Sequence, residues 1–344
     1  MIELVGNMHI HSVYSDGTAT HCEIAEAAAR AGLDWIIVTD HNIWVDGVAG
    51  YYENVLLLVG EEIHDCRRVP QANHLLVYGA DGELARLAAN PQAVIDAANE
   101  RGALTFLAHP VEYASRAAGE NAFGWDTWDV TGYTGLEIWN YMSEFKARIP
   151  TRLHALWYAY FPTAGIRGPF KPALELWDSL MANGQRVVGI GGADAHANSY
   201  SMGPLRRTIF PYEYLFRAVN THILAESALT GDVATDQGII LNALRAGRAW
   251  VGCDALGSAC GFYFEARSGA NQATMGDELS RAGAVTFEVT VPLPGDIQLV
   301  CNGRAVARAS GQALKFLSAE PGRYRAQVYR GGKGWIFSNP IFVR

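Results

Sequence analysis

Imidazoles and carboxylates recur at the ends of apolar, strand-like runs in this chain: His9, His11, Asp16, His41, Glu62, His74, His109, Asp194 and His196. His9-x-His11 closes the run Glu3-Leu4-Val5-Gly6-Asn7-Met8, and Asp194-x-His196 closes Arg186-Val187-Val188-Gly189-Ile190. Strand side chains alternate between faces, so residues two apart share a face and can grip one ion together. Nitrogen and oxygen donors without thiolate suit Zn, Mn or Fe. One His-x-His alone reads as two polar residues on a strand end. Six of ten histidines at such positions read as a metal site. Divalent ions bring the pKa of a bound water near neutrality and offset charge on an attacked phosphoryl or carbonyl oxygen. The chain has no Gly-x-Ser-x-Gly nucleophile motif, which leaves direct hydrolysis by a metal-bound hydroxide as the expected chemistry.

Bringing such distant residues together requires a repeating frame. A first helix is expected over about 20–31, with Thr20 and Glu23 as a capping box and Gly32 as its stop. The second strand, 34–39, leads into Asp40-His41-Asn42, and the third, 55–60, into Glu61-Glu62. Further strands are expected at 74–78, at 103–107 leading into Ala108-His109-Pro110, at 135–139 and at 186–190. Asn90 and Pro91 open a helix that runs to about Arg101, another spans roughly 172–183, and a helix-like stretch lies between Asp232 and Val251. Near-continuous apolar strands separated by helices predict buried parallel strands, and seven such units predict a closed barrel. In such barrels chemistry gathers at the carboxyl ends of the strands. His74 is the exception, because it starts its segment. After about Gly257, short alternating strands separated by Pro294-Gly295, Asn302-Gly303, Pro321-Gly322 and Gly331-Gly332 predict a small antiparallel β-sandwich. The expected fold class is α/β, with a barrel over 1–256 and a sandwich over 257–344.

The length of 344 residues accommodates one large and one small unit, and 49% hydrophobic with 18% charged residues describes a well-cored soluble chain. A net charge of -8 argues against a long nucleic acid partner and leaves room for a small anionic substrate held by metal ions. Five scattered cysteines read as reduced thiols, although Cys253 and Cys260 are close enough in sequence to pair. With no basic-then-apolar leader and no bilayer-length apolar run, a cytoplasmic chain without a membrane partner is expected.

Taken together, His9-Ile10-His11-Ser12 with Ser15-Asp16-Gly17, Thr39-Asp40-His41-Asn42, Gly60-Glu61-Glu62-Ile63, Leu107-Ala108-His109-Pro110, Gly135-Leu136-Glu137-Ile138 and Gly192-Ala193-Asp194-Ala195-His196 resemble the PHP (polymerase and histidinol phosphatase) superfamily. Ala246-Gly247-Arg248 and Ser338-Asn339-Pro340-Ile341 resemble, more loosely, its carbaryl-hydrolase-type branch. The resemblance implies a distorted seven-stranded TIM-like (β/α)7 barrel holding two or three divalent ions. By motif, His9, His11, Glu62 and Asp194 would hold the first ion. Asp16, His41 and His196 would hold the second, and Glu62, His74 and His109 the third. Glu62 is preferred to Glu61 because the motif places the acid before the apolar residue, and because alternation turns only one of the two inward. Asp194 and His196 are the expected catalytic residues, and a phosphoester is the bond such relatives usually cleave.

A phosphate needs cations beyond the metals. Arg206 and Arg207, soon after His196, are the candidates for this catalytic role, with Lys146, Arg148, Arg167 and Lys171 as further choices against the ordinary reading of solvated charges. The aromatic stretch 141–172, together with Trp125 and Trp128, reads equally as a substrate wall, as core or as a subunit contact in a homo-oligomer. His21 is expected to face solvent, and His154 and His222 to be satisfied surface or core residues. His64 is a candidate to orient a ligand and Asp40 to bond a ligand's ring. Arg323 and Arg325 share a strand face that reads as solvated. The expected activity is that of a metal-dependent phosphoesterase acting on a small phosphomonoester or phosphodiester. A carboxylic ester or carbamate hydrolase, or a non-catalytic metal-bound module, stands as the alternative.

Overall fold

The structure, a computed structural model, describes all residues except 116–118 and 203–204, and all side chains at the other positions except 152, 159, 199–202 and 205–207. The first eight strands are β1 (Ile2–Asn7), β2 (Trp35–Val38), β3 (Gly50–Tyr52), β4 (Val55–Ile63), β5 (Leu75–Tyr78), β6 (Leu104–Leu107), β7 (Gly135–Asn140) and β8 (Val188–Gly192). They pair in the order β1–β2–β4–β5–β6–β7–β8, with β3 an antiparallel addition to β4. The expectation that all seven are parallel is corrected, because β5 runs antiparallel to both β4 and β6. That reversal places the start of β5 at the same end as the carboxyl ends of its neighbours. His74, directly before β5, therefore joins the other ligands.

The sheet is not a barrel closed by strand ladders. β11 (Val219–Ala225) pairs antiparallel with β1 from Ile2 to Gly6 and lies between the lower parts of β1 and β8. It touches β8 through Thr221, whose Oγ1 donates to the Gly191 carbonyl at 2.6 Å. Past these strands the two chain segments meet in an isolated parallel bridge, Ile10 with Ala195. There the His11 N–H donates to the Ala195 carbonyl at 2.9 Å, and the Ala195 N–H donates to the His9 carbonyl at 3.1 Å.

Alternation divides the apolar strands between two cores. Leu4, Met8, Trp35, Ile37, Leu56, Leu58, Leu76, Tyr78, Phe106 and Ile190 pack together with Ile240 and Leu244 of α7 (Val233–Ala246). Ile36, Val38, Leu57, Val59, Leu75 and Val77 face the other way, onto a core that includes α1 (His21–Ala31). Two-sided burial is why these strands read as continuous apolar runs. The helices form where their ends are satisfied. Thr20 and Glu23 make the expected capping box and Gly32 ends α1 at φ 83°. Asn90 caps α2 (Pro91–Glu100), and Asp232 caps α7. The other helices are α3 (Tyr141–Ala147), α4 (Arg152–Tyr160), α5 (Lys171–Ala182) and α6 (Tyr212–Leu215). No described helix is long and apolar enough to cross a membrane.

After the hairpin of β9 (Ser199–Met202) and β10 (Leu205–Thr208) and the β11 strand come β12 (Ala249–Cys253), β13 (Tyr263–Ser268), β14 (Asn271–Thr274), β15 (Glu278–Leu279), β16 (Val285–Cys301), β17 (Arg304–Ser318), β18 (Gly322–Arg330), β19 (Lys333–Ser338) and β20 (Ile341–Val343). Most of these are antiparallel, as expected. Through the ladder of β12 with β19 they join the same hydrogen-bonded network as β1, so the pairing does not set them apart as a separate sandwich. Arg325 corrects another expectation. It is buried, bonds Asp178 of α5 at 2.7 Å and lies over the Trp177 ring, while Arg323 donates to the Met181 carbonyl at 3.0 Å. These arginines fasten the C-terminal strands to α5 rather than forming a solvated face. All five cysteines are free, so Cys253 and Cys260 do not pair.

Candidate metal centre

The nine expected ligands converge where the strands β1, β2, β4, β6 and β8 end and β5 begins. Glu62 is the pivot. It shares the inward parity of Leu56 and Leu58 on β4, whereas Glu61 points away and accepts from the Leu84 N–H at 2.9 Å. Its Oε2 lies 3.1 Å from Nε2 of His9, 3.1 Å from Nε2 of His11 and 3.2 Å from Nδ1 of His41. Its Oε1 lies 2.7 Å from Nδ1 of His74 and 3.1 Å from Nε2 of His109. The two oxygens of one carboxylate thus face different groups of imidazoles.

Asp194 completes the first group, with Oδ1 3.4 Å from Nε2 of His9 and 3.2 Å from Nε2 of His11. In the second group Asp16 reaches Nε2 of His196 at 3.1 Å and Nε2 of His41 at 3.7 Å, and Nδ1 of His11 at 3.7 Å also faces it. Glu62, His74 and His109 make the third. In each group one donor atom per residue lies within 4.8 Å of all the others. Buried ring nitrogens that face these carboxylates, both of His11 and Nδ1 of His41, have no hydrogen-bond partner. Buried polar atoms are rarely left so. Lone pairs converging on carboxylate oxygens at these spacings fit divalent ions with mixed N/O ligation.

The backbone is bent to aim them. His109 and Asp194 sit at φ 28° and 54°, and Asn42 and Asn73, next to His41 and His74, at 54° and 62°. Positive φ in non-glycine residues costs energy and concentrates at functional sites.

A second layer holds the ligands. Glu137 accepts from His9 Nδ1 at 3.1 Å, from the His109 N–H at 3.0 Å and from Asn140 Nδ2 at 2.9 Å. This arrangement leaves the His9 Nε2 lone pair facing Glu62 and Asp194. Asn140 also donates to Asp194 Oδ2 at 3.3 Å. His196 Nδ1 bonds the Asp194 carbonyl at 2.9 Å, which turns its Nε2 toward Asp16. Asp40 does not bond a ligand's ring as expected. It accepts from Ser12 N–H (2.7 Å), Ser12 Oγ (2.6 Å) and Ser15 Oγ (2.6 Å), and so fixes the loop that carries Asp16.

Charge in the cluster is strongly coupled. Burial pushes Glu62 up, but the surrounding imidazoles of His9, His41 and His74 and the His109 bond hold it well below the usual carboxylate range. Asp194 is held low by His9, His11 and His196 in the same way, against its burial. Burial pulls His11 and His109 down, yet the carboxylates of Asp194 and Glu62 beside the first, and the bond to Glu62 made by the second, bring both to about 9. His41, desolvated and beside His11, is lowered to about 3.

The remaining expected residues divide. His64 is buried and stacks on His74 with ring centroids 4.2 Å apart, and its N–H backbone group bonds Asn42. His21 is buried beside Asp40, at 3.8 Å, and under Tyr14, so the solvent-facing expectation is corrected. His222 is a satisfied core residue between Glu3 and Asp254, and exposed His154 bonds Thr151. The side chains of Arg206 and Arg207 lie outside the described residues; their backbone forms β10, paired with β9. Lys146 is ion-paired with buried Glu112 at 2.8 Å and lies over Phe123, which stacks on His74. Sequence reasoning gave no role to Glu112 or Glu137. For Glu137, the inward parity of a lone acid in the apolar run of β7 was the available signal. Glu112 lies in an irregular segment without one.

No protein-family model and no curated protein matches the chain. Among solved structures it is similar to a two-domain protein of Bacteroides vulgatus ATCC 8482, described as containing a predicted PHP-like metal-dependent phosphoesterase (16% identity, TM-score 0.41, 99% of this chain and 95% of that one covered). It is also similar to a chain of Bifidobacterium adolescentis ATCC 15703, described, again as an assignment, as a metal-dependent phosphoesterase (16% identity, TM-score 0.35, 56% of this chain and 87% of that one). At TM-scores below 0.5 the chemistry has to be read from the residues themselves.

Proposed function

We propose that this chain is a PHP-type metal-dependent hydrolase, cytoplasmic, with a phosphoesterase activity on a small phosphomonoester or phosphodiester. One observation carries the reading: a single buried carboxylate, Glu62, splits its two oxygens between two sets of imidazoles, with Asp194 and Asp16 completing the cage. The residues fit two or three ions of Zn, Mn or Fe. His9, His11, Glu62 and Asp194 would hold one, Asp16, His41 and His196 another, and Glu62, His74 and His109 a third. Bound ions would supply Lewis acidity and a water of lowered pKa.

The chain's own part is positioning. Glu137 fixes the tautomer and tilt of His9, and Asn140 steadies Asp194. Asp16, His41, His196 and Asp194, with side chains 56%, 23%, 16% and 15% exposed, form the open side of the cage that a substrate would reach, whereas His9 and His11 are fully enclosed. Ester or carbamate hydrolysis is the second reading. It is favoured by the state of the cations: Lys146 is neutralised by Glu112, and Arg167 spends its guanidinium on the carbonyls of Ala164 and Ile166. Para-nitrophenyl phosphate and bis-para-nitrophenyl phosphate, compared with naphthyl acetate and a naphthyl carbamate after Mn or Zn loading, separate the two. Turnover of a phosphoester that chelation abolishes supports the first reading, and turnover of the carboxylic substrates alone replaces it with the second.

A further inference from the structure

A second group of mixed donors lies away from the cage. Glu3 near the start of β1, His222 on β11 and Cys260 in the segment after β12 bring a carboxylate oxygen, a ring nitrogen and a thiol sulfur within 4.8 Å of one another. Glu3 precedes His9 by six residues of extended chain. At a strand's rise that is roughly 20 Å, so this group is separate from the cage. His222 is fully buried, Glu3 is 22% exposed and Cys260 lies at the surface, so the group opens to solvent on one side.

The ring is held as a metal ligand would be. Asp254 Oδ2 lies 3.2 Å from His222 Nε2 and accepts from Asn220 Nδ2 at 3.0 Å, while its Oδ1 accepts from the Ala259 N–H at 2.8 Å. His222 Nδ1 faces Glu3 Oε1 at 2.9 Å, and the other Glu3 oxygen accepts from the Gly261 N–H at 2.8 Å. The Cys260 thiol bonds the same ring. A neutral imidazole has a single N–H and can serve one carboxylate only; the other then meets a lone pair unless a proton or a metal ion lies between. A carboxylate behind one ring nitrogen, with further donors before the other, is the usual support of a zinc-bound histidine. Thiolate, imidazole and carboxylate together suit Zn2+, and three protein ligands leave a fourth position for water. Bound at about 2.0–2.1 Å to a tetrahedral ion, N and O sit about 3.3 Å apart. The Nδ1–Oε1 pair, at 2.9 Å, has to open only slightly to admit it.

We propose that Glu3, His222 and Cys260 bind one Zn2+ ion, with Asp254 orienting the ring, and that this ion staples β1 to β11 and to the segment after β12. The site is independent of the cage and of the bond cleaved there. The test is titration of the reduced full chain with Co2+. Cobalt on a thiolate gives a sulfur-to-metal charge-transfer band in the near ultraviolet, which the cage, having no sulfur donor, does not give. The band is expected in the wild type and is displaced by Zn2+. It should vanish in Cys260→Ser, a change at the surface, with circular dichroism showing that the variant folds. Glu3→Gln should weaken the cobalt binding that the band reports at least about tenfold. A second measurement needs no variant: Zn2+ should slow alkylation of Cys260, mapped by peptide mass, at least about tenfold, because a metal-bound thiolate is no longer a free nucleophile. The proposal is overturned by absence of the band in the wild type, by a band that survives Cys260→Ser, by Glu3→Gln binding cobalt as the wild type does, or by alkylation of Cys260 at the same rate with and without Zn2+. Absence of the band leaves His222 as an imidazolium between two carboxylates.

Discussion

Replacing Glu62 by glutamine removes one charge while keeping nearly the same shape. The carboxylate is 1% exposed and within 2.7–3.2 Å of five ring nitrogens, those of His9, His11, His41, His74 and His109. The amide keeps one oxygen and sets an NH2 group among lone pairs that should face a cation. Changing a group that only orients a ligand costs about 10–100-fold in metal affinity, so loss of this direct and shared ligand should cost at least about 100-fold in two of the three groups. Stability also falls without metal. Breaking a buried pair by removing one partner costs about 3–5 kcal/mol. His11 and His109, held at about 9 partly by Glu62, can shed their protons once it is gone, which favours the lower figure. At about 2 °C per kcal/mol for a large domain, the chelator-treated variant should melt roughly 6 °C lower. Glu61→Gln is the control, because Glu61 faces Leu84 rather than the cage. The assay is elemental analysis after dialysis against a competing chelator, with melting curves of both variants. A Glu62→Gln protein that keeps the full wild-type metal content and melting temperature would refute the cage.

Glu61 gives a pH test of opposite sense. Burial raises it to about 7, so the folded state holds a proton that the unfolded chain loses near 4.5, and wild-type stability falls as pH rises between those values. Melting curves across that range should show Glu61→Gln gaining on the wild type; parallel curves would contradict this. Metal loading of the metal-free protein at pH 7.5 should release protons, because His11 and His109 are at about 9 and must give theirs up to coordinate. Calorimetry in buffers of different ionisation enthalpy measures the number, and zero release argues that neither ring binds metal. Glu137→Gln should weaken metal binding about 10–100-fold, because the buried carboxylate that orients His9 is lost, and should lower the melting temperature of the chelated protein too, because the His9–Glu137 pair is fully buried; unchanged metal binding would refute the orienting role. Arg325→Ala, by stranding Asp178, should cost about 3 kcal/mol in denaturant unfolding and leave metal content unchanged. A metal loss there would tie the C-terminal strands to the cage.

The candidate ligands were legible in the sequence because each local pattern carries its own chemistry. His-x-His and Asp-x-His declare a shared strand face; alternation allows only one of Glu61 and Glu62 inward, and the resemblance of Gly60-Glu61-Glu62-Ile63 to the PHP motif is what chose Glu62. Capping residues such as Thr20, Asn90 and Asp232 act within one helical turn, so the helix starts could be read in the same way. Strand direction could not. An apolar run reads alike forwards or backwards, and only pairing shows that β5 is reversed, which is what brings His74 to the other ligands. The same is true of β11, whose partner β1 lies some two hundred residues away and whose insertion leaves the sheet without a closing ladder. The fates of Arg325 and Glu137 were likewise settled by distant neighbours: Asp178 on α5 for one, and His9 on the first strand for the other. Spacing along the chain fixes which side chains can share a face. Burial and charge pairing depend on what packs opposite, and that is decided only when remote segments meet.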